Sequence, residues 1–391
     1  MRILLLTTSF PLRAGASSGV FVGRLAEHLG KSCKLSVLAP ADQELVDIPI
    51  GKSYTVSTFR YAPAKWRVLA QGGGGIPAAL SANPVLWLLV PVFVFSMAFF
   101  CFKRSRHADL IFANWSICGF VAGFVGLVRG LPVVTTLRGE DANRIESSVV
   151  HWVLILSCLR LGQRVIAVSD DIANRVKKMF PTMADKVVMI PNGVDTMPGR
   201  GKTDVAKVQN AVFLVMVGSL IPRKSVPTVL HAVANLPDKF SLTIIGDGPE
   251  KEVLVRLAEQ LKIDHRVNFL GHLPPEQVST WLTKADVFIT ASRNEGRPNA
   301  VLEAMAAGLP IICSDIPGHR ELVSAEVNGK FFPVDNVDVL VERILSFQDQ
   351  ALRQAFGGAA HDEIINRGLT WDNSAHKYMK QFEQLCSRGM L

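Results

Sequence analysis

Two glutamates stand eight positions apart in the segment RNEGRPNAVLEAMAAG, residues 293–308. An apolar run, Val287–Thr290, predicts a strand before it, and the pattern predicts a helix beginning near Asn299, whose side chain is expected to cap it. Glu295 then lies in the loop and Glu303 in the helix, so both face the strand ends. The start of a helix suits a diphosphate, and a nearby carboxylate accepts hydrogen bonds from sugar hydroxyls. Taken alone, the spacing of the two glutamates favours two surface carboxylates over a ligand-binding site.

A basic pair, Arg223 and Lys224, follows another predicted strand, Val212–Val217. Such cations neutralise phosphate charge strongly where water is excluded. An isolated Arg-Lys pair is also typical of a solvated turn, and without context that interpretation is favoured. Glycines that let the backbone approach a ligand follow the predicted strands of this half, at Gly218, Gly246 and Gly271.

Short β-branched apolar runs alternate with amphipathic stretches along the chain, which predicts parallel sheets covered on both faces by helices. A polar stretch without periodicity, residues 196–210, predicts a linker between domains of residues 1–200 and 201–371. The predicted strands of the first domain are Ile3–Thr7, Leu35–Leu38, Leu110–Ala113, Val133–Thr136, Val165–Val168 and Val187–Ile190. Those of the second are Val212–Val217, Ser241–Ile245, Val267–Leu270, Val287–Thr290 and Pro310–Cys313.

The composition is that of a globular protein with large cores. The chain has 391 residues, 49% of them hydrophobic, and a mean hydropathy of +0.26. Its six cysteines show neither a CxxC pair nor a His-rich neighbourhood, which predicts reduced thiols and argues against a metal site. The opening apolar run is too short for a signal peptide and is predicted to be a buried strand. These features predict a cytoplasmic protein.

Positive charge is concentrated in the first half. Residues 1–200 hold 22 Lys and Arg against 12 Asp and Glu, whereas residues 201–391 hold 20 against 22. This asymmetry favours an anionic partner, either a membrane surface or a lipid-linked phosphate, over a generally basic solvated surface. No basic run reaches five residues and no nucleic-acid-binding module is visible, so we expect no nucleic-acid partner.

An almost wholly apolar run, Pro84–Phe102, precedes Lys103 and Arg104. Its length just suffices to span a bilayer. The flanking segments belong to one predicted sheet, and Pro91 is expected to kink a helix in mid-run. The run is therefore predicted to be a buried or partly membrane-dipping helix rather than a span, with the protein peripheral on the inner face of the membrane.

Five segments in order resemble those of the family-4 retaining glycosyltransferases, which have the GT-B fold. They are Pro191–Asp195 (PNGVD), Val217–Lys224 (VGSLIPRK), Ile245–Pro249 (IGDGP), Phe269–His272 (FLGH) and Glu295–Glu303, which matches the E-x7-E signature. The resemblance covers nearly the whole chain. It implies an α/β protein with two Rossmann-like domains facing a central cleft, and a tail, residues 372–391, that crosses back onto the first domain as a helix.

The resemblance also implies residue roles. Glu295 would contact the donor hexose near the reacting carbon, and Glu303 would hold the donor ribose. Arg223 and Lys224 would neutralise the donor diphosphate and the charge that develops on the leaving group. The other donor-binding positions that it implies are Gly19, Gly218, Gly246, Gly271, His272, Asn299, Ala300 and Val301.

The first half departs from the family pattern at two polar positions. Phe112–Trp115 (FANW) stands where H-A-H-W is common, and Thr136–Asp141 (TLRGED) stands where T-L-H-G-x-D is common. Asn114, Arg138 and Asp141 are therefore candidates to face the acceptor or the sugar. Arg138, in place of a histidine, either pairs with a charged acceptor or donor or is structural.

The function implied is transfer of a hexose from a UDP- or GDP-sugar to a glycan or polyprenyl-linked acceptor, with retention and without a metal or other cofactor. No Asp-x-Asp pair is present. Two alternatives stay open: a non-catalytic nucleotide-sugar binder and a nucleotide-sugar epimerase. A dinucleotide oxidoreductase is disfavoured because no G-x-G-x-x-G follows the first predicted strand.

Overall fold

The computed structural model describes residues 1–13, 19–42, 52–70, 76, 79–80, 83–139, 141, 145–195 and 211–388. The chain divides into two compact units. Unit 1 contains Met1–Asn192 and Trp371–Leu391, and unit 2 contains Gly193–Thr370. The predicted linker, residues 196–210, lies outside the described residues, as does Glu140.

Unit 1 is built on a parallel sheet whose central strands are buried and apolar. The strands are β1 (Arg2–Leu6), β2 (Lys34–Pro40), β3 (Tyr54–Phe59), β4 (Leu110–Asn114), β5 (Val133–Leu137), β6 (Arg164–Ala167) and β7 (Val187–Met189). The helices are α1 (Val20–Gly30), α2 (Leu89–Arg104), α3 (Ser116–Arg129), α4 (Val149–Leu161) and α5 (Asp170–Met179). Short 3-10 turns lie at Ala64–Trp66, Pro84–Leu88, Ser105–His107 and Pro181–Lys186.

Unit 2 repeats this arrangement. Its strands are β8 (Val212–Val217), β9 (Phe240–Ile245), β10 (Val267–Gly271), β11 (Val287–Thr290), β12 (Ile311–Ser314) and β13 (Gly329–Phe332). Its helices are α6 (Val226–Ala234), α7 (Lys251–Gln260), α8 (Pro275–Lys284), α9 (Asn299–Ala306), α10 (Pro317–Arg320), α11 (Val337–Ser346) and α12 (Gln350–Asn366). Short 3-10 turns lie at Pro222–Lys224 and Asp264–Arg266.

Both sheets are wound in the same way. Among the described residues, the strand order is β3-β2-β1-β4-β5-β6-β7 in unit 1 and β10-β9-β8-β11-β12-β13 in unit 2. The chain runs outward from the first strand and then reverses, so each sheet has a switch point, between β1 and β4 and between β8 and β11. Ligands of doubly wound sheets bind beyond the carboxyl ends of the strands at this point. The predicted α/β fold with two Rossmann-like sheets is confirmed.

The apolar run forms a 3-10 turn followed by α2, and it is only partly buried. Phe93, Met97 and Cys101 lie in the core, whereas Phe95 is 72% exposed. The predicted kink at Pro91 is wrong because α2 begins at Leu89, so the proline lies in the first turn, where no N–H needs a helical partner. The helical segment 84–107 is long and apolar enough to cross a membrane by length and composition, a test that core helices of soluble proteins also pass.

The last helix, α13 (Trp371–Arg388), belongs to unit 1 although unit 2 precedes it in the chain. Tyr378 and Phe382 pack against Phe112 of β4, with ring centroids 5.3 and 5.2 Å away. Ser374 Oγ donates to the Pro191 carbonyl over 2.8 Å. The helix therefore completes the core beneath the centre of the unit 1 sheet.

Candidate functional site

The predicted basic pair and the first glutamate meet in unit 2. Arg223 and Lys224 form the 3-10 turn after β8, and Glu295 lies in the loop after β11. Because β8 and β11 are neighbours, their carboxyl ends bring these segments together at the switch point. Lys224 Nζ donates to Glu295 Oε1 over 2.5 Å, and Ser292 Oγ donates to the same oxygen over 2.8 Å. Arg223 Nη1 lies 3.9 Å from Glu295 Oε2.

Glu295 is a buried carboxylate with a side chain only 9% exposed. Burial raises the pKa of this carboxyl. The charges of Lys224 and Arg223, and the hydrogen bonds from Lys224 and Ser292, outweigh burial and hold the pKa below its ordinary value. Glu295 is therefore ionised at neutral pH. Two cations face one carboxylate, which leaves this point positive.

Glycines join the ends of β8, β9 and β10. Gly218 N–H donates to the last carbonyl of β9, and Gly246 N–H donates to the Gly271 carbonyl. A Cβ on Gly246 would lie 1.9 Å from the Gly218 carbonyl oxygen, and a Cβ on Gly218 would lie 3.3 Å from Lys224 Cε. A side chain at Gly246 would therefore separate the two strand ends. His272 follows β10 and is exposed.

Helix α9 begins at Asn299, with Pro298 in the cap position and no capping side chain among the described residues. The prediction that Asn299 caps this helix is therefore wrong: Asn299 already has helical geometry, and only the preceding residue can cap. The Val301 side chain is buried in the core, and its N–H donates to the Pro298 carbonyl. The N–H groups of Asn299 and Ala300 precede it, at the end of the helix where anions are favoured.

Glu303 lies within α9, one helical turn further on, and is half-buried. Gly308 follows the end of the helix. Its φ of +71° suits glycine, and its N–H donates to the Met305 carbonyl over 2.9 Å. The segment thus places one glutamate at the Lys224 ammonium and the other on the helix.

His319 is a candidate that no motif in the sequence predicts. It is fully buried, and its Nδ1 lies 2.7 Å from the Ser314 carbonyl, so Nδ1 carries the hydrogen and Nε2 the lone pair. Burial lowers the pKa of His319, and Nε2 has no partner among the described residues. A Cβ on Gly318 would lie 2.3 Å from the Glu295 carbonyl oxygen, so the two loops are packed together. His319 Nε2 is therefore a buried acceptor, unpaired among the described residues, on a segment that packs against the Glu295 loop.

The polar candidates of unit 1 also form one cluster. Asn114 ends β4, Arg138 follows β5, and both are buried. Arg138 Nη2 donates to Asn114 Oδ1 over 2.9 Å, and Nη1 donates to Asn192 Oδ1 over 2.9 Å. Asp141 accepts from Ser116 N–H and Oγ–H, at 3.0 and 2.5 Å, and from the Arg138 N–H. Asp141 thus binds the start of α3, while the Arg138 guanidinium binds the side-chain amides of Asn114 and Asn192.

Gly19 precedes α1 with a φ of +70°, and a Cβ there would lie 2.4 Å from the Ser9 carbonyl oxygen. Glycine is required at this position because its φ is positive and its backbone packs against the Ser9 carbonyl. Gly19 therefore brings the start of α1 close to the end of β1. No group of three or more His, Cys, Asp or Glu side chains among the described residues is arranged to hold a metal.

Two family models match the chain, one over each unit. "Glycosyltransferase Family 4" matches residues 18–197, and "Glycosyl transferases group 1" matches residues 202–362. The chain is a family-4-like glycosyltransferase of the GT-B fold. Its two doubly wound sheets are those of this fold class.

The relatives of this glycosyltransferase include proteins named for polysaccharide biosynthesis and for a lipid-linked acceptor. A putative colanic acid biosynthesis glycosyltransferase of Escherichia coli is 27% identical over 67% of this chain and 70% of its own. A UDP-Gal:α-D-GlcNAc-diphosphoundecaprenol α-1,3-galactosyltransferase of E. coli is 25% identical over 68% and 72%. HepE of Anabaena, solved with UDP and glucose, is 20% identical with a TM-score of 0.76, covering 98% of this chain and 100% of its own.

Proposed function

We propose that this glycosyltransferase transfers a hexose, with retention, from a UDP- or GDP-sugar to a glycan or polyprenyl-linked acceptor in cell-envelope or exopolysaccharide synthesis. The observation that carries the proposal is the Lys224–Glu295 pair with Arg223 beside it, at the switch point of the unit 2 sheet. Cations and a carboxylate fixed there match the two ends of a nucleotide-sugar, which joins a diphosphate to a polyol.

Each group has a role that follows from its chemistry. Arg223 and Lys224 bind the diphosphate and stabilise the charge that develops as the sugar–phosphate bond breaks. The N–H groups at the start of α9 supply further anion contacts, so the diphosphate is held without a metal. Glu295, ionised and held by Lys224 and Ser292, accepts hydrogen bonds from hexose hydroxyls, and Glu303 accepts from the ribose.

The configuration at the anomeric carbon is retained if the acceptor attacks on the face from which the nucleoside diphosphate leaves. A donor phosphate oxygen then takes the proton of the acceptor hydroxyl. Glu295 orients the sugar in this scheme and forms no covalent bond to it: Lys224 and Ser292 hold Oε1, and Oε2 accepts from the sugar. The neutral His319 adds an acceptor for a further hydroxyl.

The test of donor binding is a thermal-shift screen of the full chain against UDP, GDP and their common hexose conjugates. A specific ligand at a hundredfold excess over its Kd stabilises the folded state by about 2.7 kcal/mol. We expect UDP or GDP to raise the unfolding temperature, one matching sugar to raise it further, and Lys224→Met to abolish the effect. Val253→Ser, at an exposed position of α7, is the control. No stabilisation by any nucleotide would overturn the proposal.

The catalytic assignment is tested with the identified donor. Glu295→Ala is expected to lower transfer by about 10²- to 10³-fold, as loss of a group that positions the reacting centre does, while nucleotide binding persists. Chelator is expected to leave transfer unchanged. Conversion of donor without an acceptor identifies an epimerase, intact donor under all conditions identifies a binder, and near-normal transfer by Glu295→Ala contradicts the assigned role.

We further propose that unit 1 docks on the inner face of the cell membrane through helices α2, α3 and α4. α3 packs against both other helices. Together they expose large apolar side chains, at Val92, Phe95, Phe99, Phe102, Phe124, Leu127, Val128, Val149, Val150, Trp152 and Val153. Exposed apolar surface of this extent is unusual on a soluble monomer.

The charges around the exposed apolar side chains favour an anionic lipid surface, rather than another protein, as the partner of these helices. None of the three helices contains Asp or Glu. Lys103, Arg104 and Arg106 are exposed at the end of α2, and the Arg129 guanidinium lies 3.6 Å from the centre of the Phe102 ring. Apolar insertion with basic residues beside it is the pattern of peripheral membrane helices.

Sedimentation with phosphatidylcholine vesicles, with and without phosphatidylglycerol, tests the docking. We expect binding that anionic lipid strengthens and salt weakens. Phe95→Ser/Phe99→Ser is expected to release the protein, whereas Val253→Ser in unit 2 binds like the parent. Lys103→Gln/Arg104→Gln is expected to weaken binding by about fivefold per charge. The docking would be contradicted if the protein bound neither kind of vesicle. It would also be contradicted if ultracentrifugation showed a dimer that Phe95→Ser/Phe99→Ser abolishes.

A further inference from the structure

The guanidinium of Arg138 is buried among neutral groups. Its exposed fraction is 4%, and its three hydrogen bonds all reach amide oxygens, two to Asn114 and one to Asn192. Its Cζ lies 4.3 Å from the centre of the Phe21 ring and 5.9 Å from that of Trp115. No carboxylate among the described residues forms an ion pair with it.

The nearby carboxylate is engaged elsewhere. Asp141 accepts three hydrogen bonds, two from Ser116 at the start of α3 and one from the Arg138 backbone. The N-terminal end of a helix favours a negative charge, so α3 and Ser116 hold this carboxylate. Burial lowers the pKa of Arg138 to about 10, which still leaves it charged at neutral pH. A buried cation held mainly by neutral groups is costly unless a counter-charge arrives.

The polar atoms left over at this point are all donors. A guanidinium has five N–H groups, so two of those on Arg138 have no acceptor among the described residues. Asn114 Nδ2 and Trp115 Nε1 are also buried without a partner. A ligand that satisfies these groups must supply oxygen acceptors and negative charge.

The position of the cluster fits a ligand site. Asn114 ends β4, next to β1 at the switch point, and Arg138 follows β5, so both lie at the carboxyl edge of the unit 1 sheet. Phe21 and Trp115 are only half-buried and form a partly exposed rim. Trp115 has φ +79° and ψ 149°, a region that side chains rarely adopt and that is typical of ligand clamps.

We propose that Arg138, Asn114 and Trp115 form a subsite for an oxyanion, a carboxylate or a phosphate, carried by the acceptor. Assignment to the acceptor rests on the proposed transferase activity and on the diphosphate site in unit 2; the anion site itself rests on the donors alone. Arg138 supplies charge and two N–H groups, and Asn114 Nδ2 and Trp115 Nε1 each supply one more. The site selects anionic over neutral acceptors.

Small anions on the full chain test the subsite without any transfer assay. Methyl phosphate represents a phosphate-bearing acceptor, methyl glucuronide a carboxylate-bearing sugar, and methyl glucoside is the neutral control. We expect one anion to raise the unfolding temperature of the parent and of Lys224→Met, and methyl glucoside to have no effect. The anion that binds identifies the source. Stabilisation lost in Lys224→Met would place the anion in unit 2 and overturn the subsite.

Two substitutions make the test specific. Arg138→Gln is expected to weaken anion binding by about tenfold to a hundredfold. Asn114→Asp keeps the side-chain shape and the oxygen that Arg138 bonds, but places a carboxylate on the guanidinium, so we expect it to fold and to exclude the anion. Anion binding that survives Asn114→Asp, or no binding of either anion to the parent, would overturn the proposal. A failed donor screen with a positive anion result would overturn the transferase assignment alone.

Discussion

Both units place cations at the carboxyl edge of a doubly wound sheet, but they neutralise these cations differently. In unit 2, Lys224 and Arg223 face a carboxylate, Glu295, across the ends of β8 and β11. In unit 1, Arg138 at the end of β5 faces amide oxygens and aromatic rings. Winding fixes where a ligand binds, and the side chains at the strand ends decide which charge it carries.

This difference predicts different ligands. The unit 2 cluster offers both cations and a carboxylate, which suits a molecule with a charged end and a hydroxylated end. The unpaired polar atoms of the unit 1 cluster, among the described residues, are donors alone, which suits a compact anion. The same difference predicts how each unit responds when its cation is removed. In unit 2 the buried Glu295 loses a hydrogen-bonded cation, whereas the buried Asp141 of unit 1 keeps its bonds from Ser116 and from the Arg138 backbone.

The largest expected effect is that of Lys224→Met on unit 2. Glu295 is left buried with Arg223 as its remaining cation, so we expect the free energy of unfolding to fall by about 2–4 kcal/mol at neutral pH. Urea denaturation measures the change. Lys224→Met/Glu295→Gln is expected to recover most of the loss because the uncompensated charge is gone. A double variant as unstable as the single one would show that packing of the lysine stem, not charge, holds the pair.

A smaller effect is expected for Arg138→Met in unit 1. The substitution breaks three hydrogen bonds to neutral amides, and the buried Asp141 keeps its own three hydrogen bonds, so we expect a loss of about 1–2 kcal/mol. The loss should change little between about pH 6 and pH 8, since the three hydrogen bonds that are broken end on amide oxygens, which do not titrate. Urea denaturation at both pH values checks this. A loss as large as that of Lys224→Met would show that Arg138 carries a structural ion pair, and the comparison between the units would fail.

The sequence predicted the fold well because parallel strands buried on both faces are continuous apolar runs. β8 was predicted to its exact bounds, and β9 began one residue earlier than expected, at Phe240. The start of α9 was harder to predict from the sequence. Asn299 is a good capping residue, and only the backbone geometry shows that Pro298 occupies the cap position. Pro91 was misjudged for the same reason, because its effect depends on where α2 begins.

The sequence predicted those candidate site residues that lie in recognisable motifs, and it missed those that become candidates only through their packing. The meeting of Lys224 with Glu295 follows from two motifs on neighbouring strands. His319 has no such motif: its role depends on burial, on the Ser314 carbonyl that fixes its tautomer, and on the turn at Gly318 that packs against the Glu295 loop. Trp115 likewise becomes a candidate only through its unpaired Nε1 and its backbone conformation.

The smallest expected effect is a pH dependence from Glu295. Because its folded-state pKa lies below the ordinary value of 4.5, the ionised carboxyl contributes stability above that pH, and the contribution is lost as the pH falls through the folded-state pKa. The difference in unfolding free energy between the parent and Glu295→Gln should therefore be constant near neutral pH and shrink in acid. Glu342→Gln, with a side chain 69% exposed, controls for the loss of one negative charge. A difference that grows on acidification would mean that burial outweighs Lys224 and Arg223, and that unit 2, like unit 1, holds its cations without a carboxylate partner.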